Sequence, residues 1–330
     1  PVFALFNPAL GVTTIVPDMD PRKPAKVNPA YLVEAIQTHG VTVSFASPTI
    51  WKRVAQYCLE NEIKLPSLKH IFMTGAPVSP SVIEDFTHIL VEGEVYTPFG
   101  ATETLSISNI SGSEILAETA PLTARGWGVC VGYPLENLEI RVISLTDEPI
   151  VEWDESLVLP SGELGEIVVK GPMVTRKYLN RPNETALAKI QDKDGIWHRM
   201  GDLGYFDSNG RLWMCGRKAH RVETEDDLLL PVPCEAIFNA HPEVVRTALV
   251  GVGEYGQQRP VLVVELKSGE IPSNKEEQRL IEELLALGKE YEHTQVIQDI
   301  LFYKSFPVDV RHNVKIQREK LAEWAAKQLR

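Results

Sequence analysis

The chain has 330 residues, 44% of them hydrophobic, and a formal net charge of −12; that length points to two or three subdomains rather than one small core. The acidic balance, which no basic stripe relieves, argues against nucleic acid and anionic membrane surfaces as partners, because their phosphates would be repelled. Cys58, Cys130, Cys215 and Cys234 are scattered without C-x-x-C spacing, which suits reduced thiols in a cytoplasmic protein, and the apolar runs are strand-sized, leaving no spanning helix, signal peptide or integral membrane contact.

Residues 1–125 alternate strand-like and helix-like segments. Gly11 to Val16 reads as a strand, Pro29 to Gln37 as a helix opened by Asn28, Val41 to Phe45 as a strand, and Pro48 to Glu62 as a helix. The strand His70 to Thr74, the helix Pro80 to Leu90 and the strand Glu94 to Tyr96 continue the alternation. This order predicts a mostly parallel sheet with helices on its faces. Residues 126–217 change texture to short β segments divided by Gly, Pro, Asn and Asp, among them Leu138 to Ile143 and Gly162 to Gly171, and predict a small β-barrel-like subdomain. Residues 218–330 hold two strands, Arg246 to Val252 and Pro260 to Lys267, and two amphipathic helices, Lys275 to Glu290 and Lys315 to Leu329, as expected of a small α+β domain. The fold class is therefore α/β: part of a large sheet domain followed by a small C-terminal domain. The chain starts at Pro1 inside an apolar run and reads as a piece of something longer.

Four motifs carry chemistry. Gly75-Ala-Pro77 follows a strand, where glycine lets backbone approach a flat base. Phe99-Gly-Ala-Thr-Glu103 supplies an aromatic ring for stacking, the Thr102 hydroxyl for a phosphate oxygen and the Glu103 carboxylate for a hard cation such as Mg²⁺. In Met200 to Arg217, the turn cluster Asp207-Ser-Asn-Gly210 separates two apolar runs and predicts a β-hairpin with Asp202 and Arg217 at the same end. There the acid could accept two ribose hydroxyls while the guanidinium braces it. Alone, that pair also fits an ordinary surface hairpin. Lys315, in Arg311-His-Asn-Val-Lys-Ile-Gln-Arg318, completes the set; it also fits a solvated lysine at a helix start.

In this order and spacing the motifs resemble the adenylate-forming superfamily of acyl-CoA synthetases, peptide-synthetase adenylation domains and luciferases, over essentially the whole chain. The resemblance implies ATP and Mg²⁺ as cofactors. Gly75, Ala76, Pro77 and Phe99 would hold adenine, Thr102 phosphate, Glu103 the metal, and Asp202 and Arg217 the ribose. Lys315 would be the lysine of a mobile C-terminal domain that reaches the substrate carboxylate and α-phosphate. Residues 1–125 would then be the α/β part of the adenylation domain.

Pro1 to Gly11, Val16 to Pro21, Gly216 to Thr224, Val232 to Glu235 and Phe306 to Lys315 are closer still to the β-lactone synthetase subgroup of bacterial long-chain olefin biosynthesis. This implies adenylation of a 2-alkyl-3-hydroxy fatty acid, lactone closure with loss of AMP, and other olefin-pathway enzymes as partners. Two alternatives stay open: a ligase with a CoA or acyl-carrier thiol as acceptor, and a non-catalytic nucleotide-binding or interaction module.

The chain departs from the superfamily pattern at several points. The Ser/Thr/Gly-rich phosphate loop would lie upstream of Pro1, so the isolated chain is expected to turn over ATP weakly or not at all. Ala219 replaces the usual charged hinge residue, Val314 replaces the glycine before the mobile lysine, and Glu225 to Leu230 replaces a Gly-bearing loop at the edge of a CoA tunnel.

Overall fold

The computed structural model describes residues 2–20, 23, 26–308 and 315–329. They divide into two compact units, one drawn from 2–98 and 110–117, the other from 99–109, 118–308 and 315–329. The segment around Val314 lies outside the described residues, so the expectation of a stiffened loop there is not addressed.

In the first unit, the helix Pro29–His39 begins where the Asn28 side chain accepts the Ala30 N–H at 3.1 Å, and it ends at Gly40 with φ 58°. A capping amide, a proline in the first turn and a left-handed glycine are the local signals that fix such a helix. Helices Pro48–Glu60 and Pro80–Ile89 also carry proline in the first turn. Three strands, β1 (Val43–Ala46), β2 (His70–Met73) and β3 (Glu94–Tyr96), pair in parallel in that order. Val54, Leu68, Ile71 and Phe86 bury the helix–sheet interface, and Trp51 meets Phe86 edge to face at 5.4 Å.

Residues 12–17 form no strand; the nearby regular element is the helix Val2–Ala9. Apolar alternation makes a segment competent for a sheet, but a strand exists only where a neighbour completes its ladder. None of the described residues does so for 12–17.

The second unit contains an antiparallel sheet of β4 (Phe99–Ala101), β5 (Thr104–Asn109), β6 (Val129–Pro134), β7 (Glu139–Ile143), β8 (Gly165–Lys170), β9 (Lys189–Asp192), β10 (Gly195–Phe206) and β11 (Leu212–Arg217). Its order is β4-β5-β6-β11-β10-β8-β7, with β9 also on β10. Ile107, Ile140, Val142, Ile167 and Leu212 form its core.

Asp207 builds the β10–β11 turn. Its Oδ1 accepts the N–H groups of Asn209 and Arg211, and its Oδ2 accepts from Arg211 Nε at 2.8 Å and Trp213 Nε1 at 2.9 Å. One carboxylate thus satisfies four donors at a hairpin tip that Gly210 turns with φ 78°.

Further along the chain, β12 (Val222–Glu223) pairs with β13 (Leu228–Leu229), and β14 (Val244–Val252), β15 (Arg259–Leu266) and β16 (Asp299–Phe302) form a mixed sheet. Helix Asn274–Lys289 buries Leu280 and Leu284. The last helix starts at Arg318 rather than at Lys315. Ile316 bridges Val308, and the Gln317 N–H donates to Pro307 O at 2.8 Å. Those backbone bonds take the place of a first helical turn. No helix among the described residues is long and apolar enough to cross a membrane, and all four cysteines are buried and outside any disulfide.

A Cβ on Gly204 would lie 2.1 Å from Trp213 O, across the β10–β11 pair. Gly204→Ala is therefore expected to force these strands apart and cost about 1–3 kcal/mol. A urea midpoint equal to that of the parent would contradict the close pairing.

Candidate functional site

The β10–β11 hairpin aligns Asp202 with Arg217 in register. Register shifts interrupt β10 against β8 between Arg199 and Leu203, and against β11 between Leu203 and Gly204. Within that interruption Gly201 takes φ 65°. Such a bulge re-aims the following side chain. Arg217 Nη1 donates to Asp202 Oδ1 and to Met200 O, both at 3.1 Å. The side chain of Asp202 is 8% exposed and that of Arg217 is 53% exposed.

Burial pushes the Asp202 carboxyl above its ordinary range. The Arg217 guanidinium opposes the rise, Glu166 adds to it, and the Lys315 ammonium opposes it more weakly. Lys315 therefore acts on the same acid as Arg217. A buried carboxylate braced by a half-exposed guanidinium gains from further donors, and a pair of vicinal hydroxyls would supply two.

Glu103 occupies a different setting. Ala101 pairs with Thr104, so Thr102 and Glu103 form the two-residue loop of the β4–β5 hairpin. Phe99 is half-buried against the core beneath, and Thr102 is exposed. Glu103 Oε1 accepts the Tyr178 hydroxyl at 2.7 Å, and Glu103 O accepts the Thr175 N–H at 2.8 Å. Burial opposes ionisation of Glu103, but the Tyr178 hydroxyl, its own backbone N–H and the charge of Lys189 together hold it below the usual carboxylate range. Burial and the Glu103 carboxylate push Tyr178 up to about 12. The result is an ionised oxygen donor buttressed by a neutral phenol.

Lys189 and His198 are direct cross-strand neighbours between β9 and β10, which sets both side chains on one face. Lys189 Nζ donates to Thr175 Oγ1 at 3.1 Å. His198 Nδ1 lies 3.2 Å from Ala188 O, so that nitrogen carries the hydrogen and donates it. Burial, reinforced by Lys189, pushes His198 down to about 4, leaving a neutral imidazole at pH 7. Arg217 acts electrostatically on both Tyr178 and His198.

Gly75, Ala76 and Pro77 belong to the first unit, directly after β2, where Gly75 has φ 89° with open space in the Cβ direction. The second unit holds Phe99, Thr102, Glu103, Asp202, Arg217 and Lys315. Lys315 is exposed, and three residues on Arg318 pairs with Glu235, which also accepts the Leu249 N–H.

Sequence reasoning missed Thr175, Tyr178 and Lys189. The one available clue was a lysine inside the apolar run Ala186-Leu-Ala-Lys-Ile190, a place where a charged side chain needs a reason.

The folded-state value of His198 lies below its ordinary 6.5, so its neutral form favours the fold above that pH. This stability is lost as the pH falls from about 6.5 through about 4. The loss is on the order of 3 kcal/mol. His198→Gln should flatten the unfolding midpoint across that interval, whereas an unchanged acid slope would remove His198 as its source.

The AMP-binding enzyme family matches residues 2–179. The olefin beta-lactone synthetase of Xanthomonas campestris pv. campestris is 47% identical over 99% of this chain and 59% of its own length. That of Stenotrophomonas maltophilia is 44% identical over 100% of this chain and 59% of its own. The chain thus spans about 59% of these relatives. The amide bond synthetase McbA from Marinactinospora thermotolerans superposes with a TM-score of 0.70 at 25% identity, over 91% of this chain and 55% of that one. With this agreement of sequence and fold, the chain belongs to the AMP-binding enzyme family.

Proposed function

We propose that the chain is the C-terminal part of an ATP-dependent synthetase that adenylates a 2-alkyl-3-hydroxy fatty acid and closes it to a β-lactone. The observation that carries the adenylation half is the buried Asp202, aligned with Arg217 and within the field of Lys315. Identity to named lactone synthetases over the whole chain supports the second half.

In this reading Asp202 accepts the ribose hydroxyls and Arg217 braces the acid. Phe99 stacks on adenine, with Gly75, Ala76 and Pro77 as the backbone that reads it. Thr102 meets a phosphate oxygen. Lys315 offsets the repulsion between two anions as the carboxylate oxygen attacks the α-phosphorus and the bond to pyrophosphate breaks. Glu103, ionised and with one oxygen already fixed by Tyr178, would be the hard donor that holds Mg²⁺, and the bound ion would supply counter-charge to the phosphates. In the second step the 3-hydroxyl oxygen attacks the acyl carbon and AMP leaves with the bonding pair. The hydroxyl proton passes to solvent. An internal hydroxyl has a large proximity advantage over an external thiol, which suits closure of a strained ring.

Intact enzyme given ATP, Mg²⁺ and a 2-alkyl-3-hydroxy acid, without CoA, should yield lactone and AMP. Release of AMP only when a CoA or carrier thiol is present would overturn the lactone half. Lys315→Ala should lower the adenylation rate by about 10²–10³-fold. Because Lys315 is exposed, the unfolding midpoint should stay where it is. Full activity in that variant would remove Lys315 from the chemistry and favour a non-catalytic nucleotide-binding or interaction role for this chain.

A further inference from the structure

Lys189 has no part in the reaction described above, yet it is the only buried lysine among the described residues, 3% exposed. Its hydrogen-bond acceptor is the neutral Thr175 hydroxyl, and its ammonium stands 5.8 Å from the centre of the Tyr178 ring. An ammonium offers three donors. A hydroxyl and a ring face leave its charge largely uncompensated. Burial pushes it down to about 8, and Glu103 opposes that only through its field. A buried charge left in this state calls for a ligand that completes it.

A cavity of about 470 Å³ opens beside it, lined by Lys177, Tyr178, Arg181, Thr185, Lys189 and Gln191 among others. Three cations on one cavity stand out in a chain of net charge −12. Arg181 is partly neutralised by Glu184 at 2.7 Å, whereas Lys177 is exposed at the rim. Tyr178 joins the cavity to the proposed metal-binding acid, for the residue lines one and its hydroxyl holds the other.

We propose that this cavity is an anion subsite for inorganic pyrophosphate, with Lys189 as its buried charge and Lys177 at its mouth. The identity of the anion rests on the adenylation reading, in which pyrophosphate leaves from phosphates next to Glu103. A leaving group of high negative charge gains from an ammonium that has been stripped of water but not yet paired. The subsite would capture that product on the far side of Tyr178.

Calorimetric titration of inorganic pyrophosphate into the chain, in EDTA so that no metal contributes, tests this directly. Pyrophosphate should bind, more tightly than sulfate or monophosphate. Lys189→Met should weaken it by about tenfold or more, the worth of one charge-assisted hydrogen bond, and Lys189→Arg should retain part of the affinity. Lys189→Met keeps the stem and removes a desolvated charge, so its unfolding midpoint should equal or exceed that of the parent; a purely structural lysine would lower it. In intact enzyme the same variant should raise the inhibition constant for pyrophosphate and leave that for AMP unchanged. If Lys189→Met does not fold, Lys177→Ala at the exposed rim should still weaken pyrophosphate binding. Equal affinity in parent and variants, or no pyrophosphate binding by the parent, overturns the subsite. Binding through Lys189 in an intact enzyme that releases no AMP keeps the subsite and overturns the adenylation reading instead.

Discussion

The removal of Asp202 from water is the constraint on which the second unit turns. An acid at that depth costs free energy unless donors surround it, and the hairpin supplies a guanidinium whose own side chain is half in solvent. The arrangement is built locally. Asp207 gathers four donors to close the turn, the turn fixes the pairing of β10 with β11, and the pairing sets Asp202 opposite Arg217. The interruption at Gly201 then frees the acid from the regular ladder. A register slip of one residue would turn Asp202 to the other face of the sheet. The cluster of bonds around Asp207, some five residues from the acid, therefore determines where the carboxylate points.

Glu103 is governed by the same physics with the opposite outcome. Burial works against both carboxylates, yet Asp202 ends above its ordinary range and Glu103 below it. The difference lies in the partners: Glu103 has a phenol at 2.7 Å and the Lys189 charge acting on it, while Asp202 is nearly enclosed and also feels Glu166. Environments that push two acids apart assign them different roles. An ionised, buttressed oxygen suits a hard cation, and an acid short of donors suits a neutral polyol. Burial drives the neighbouring His198 and Lys189 toward their neutral forms, and the Glu103 carboxylate opposes that shift in both.

Local chemistry was legible in the sequence, and pairing at a distance was not. The turn cluster at Asp207 to Gly210 and the capping and proline signals at Asn28, Pro48 and Pro80 each act within a few residues, and the elements they predict are present. The expected strand at Gly11 to Val16 failed because a ladder needs a partner that alternation cannot supply. The helix expected from Lys315 starts later because Ile316 and Gln317 bond back to 307–308. Of the candidate site, the residues proposed from the sequence are those that stand inside a motif. Tyr178 and Lys189 stand outside any motif: the first is placed by a hydrogen bond to a residue 75 positions away, and the second, marked only by the apolar run around it, by its pairing with His198.

Lys315 shows how an exposed residue can still be placed. On its C-terminal side, Arg318 pairs with Glu235 and donates to Leu249 O at 3.2 Å, while the Leu249 N–H returns to Glu235 at 2.7 Å. This ties the last helix to β14 and to the helix Pro231–Phe238 through one acid. The Gln317 N–H is bound to Pro307 O immediately before it. The backbone that carries Lys315 is thus anchored within three residues, while its side chain keeps the freedom and hydration of an exposed lysine. Under the proposed adenylation, a charge that meets a developing anion would gain from that combination, because a fixed base limits where it can reach and an exposed stem avoids the desolvation that weakens Lys189. The chain therefore holds two lysines in contrasting states. Lys315 keeps its water, whereas Lys189 has given it up.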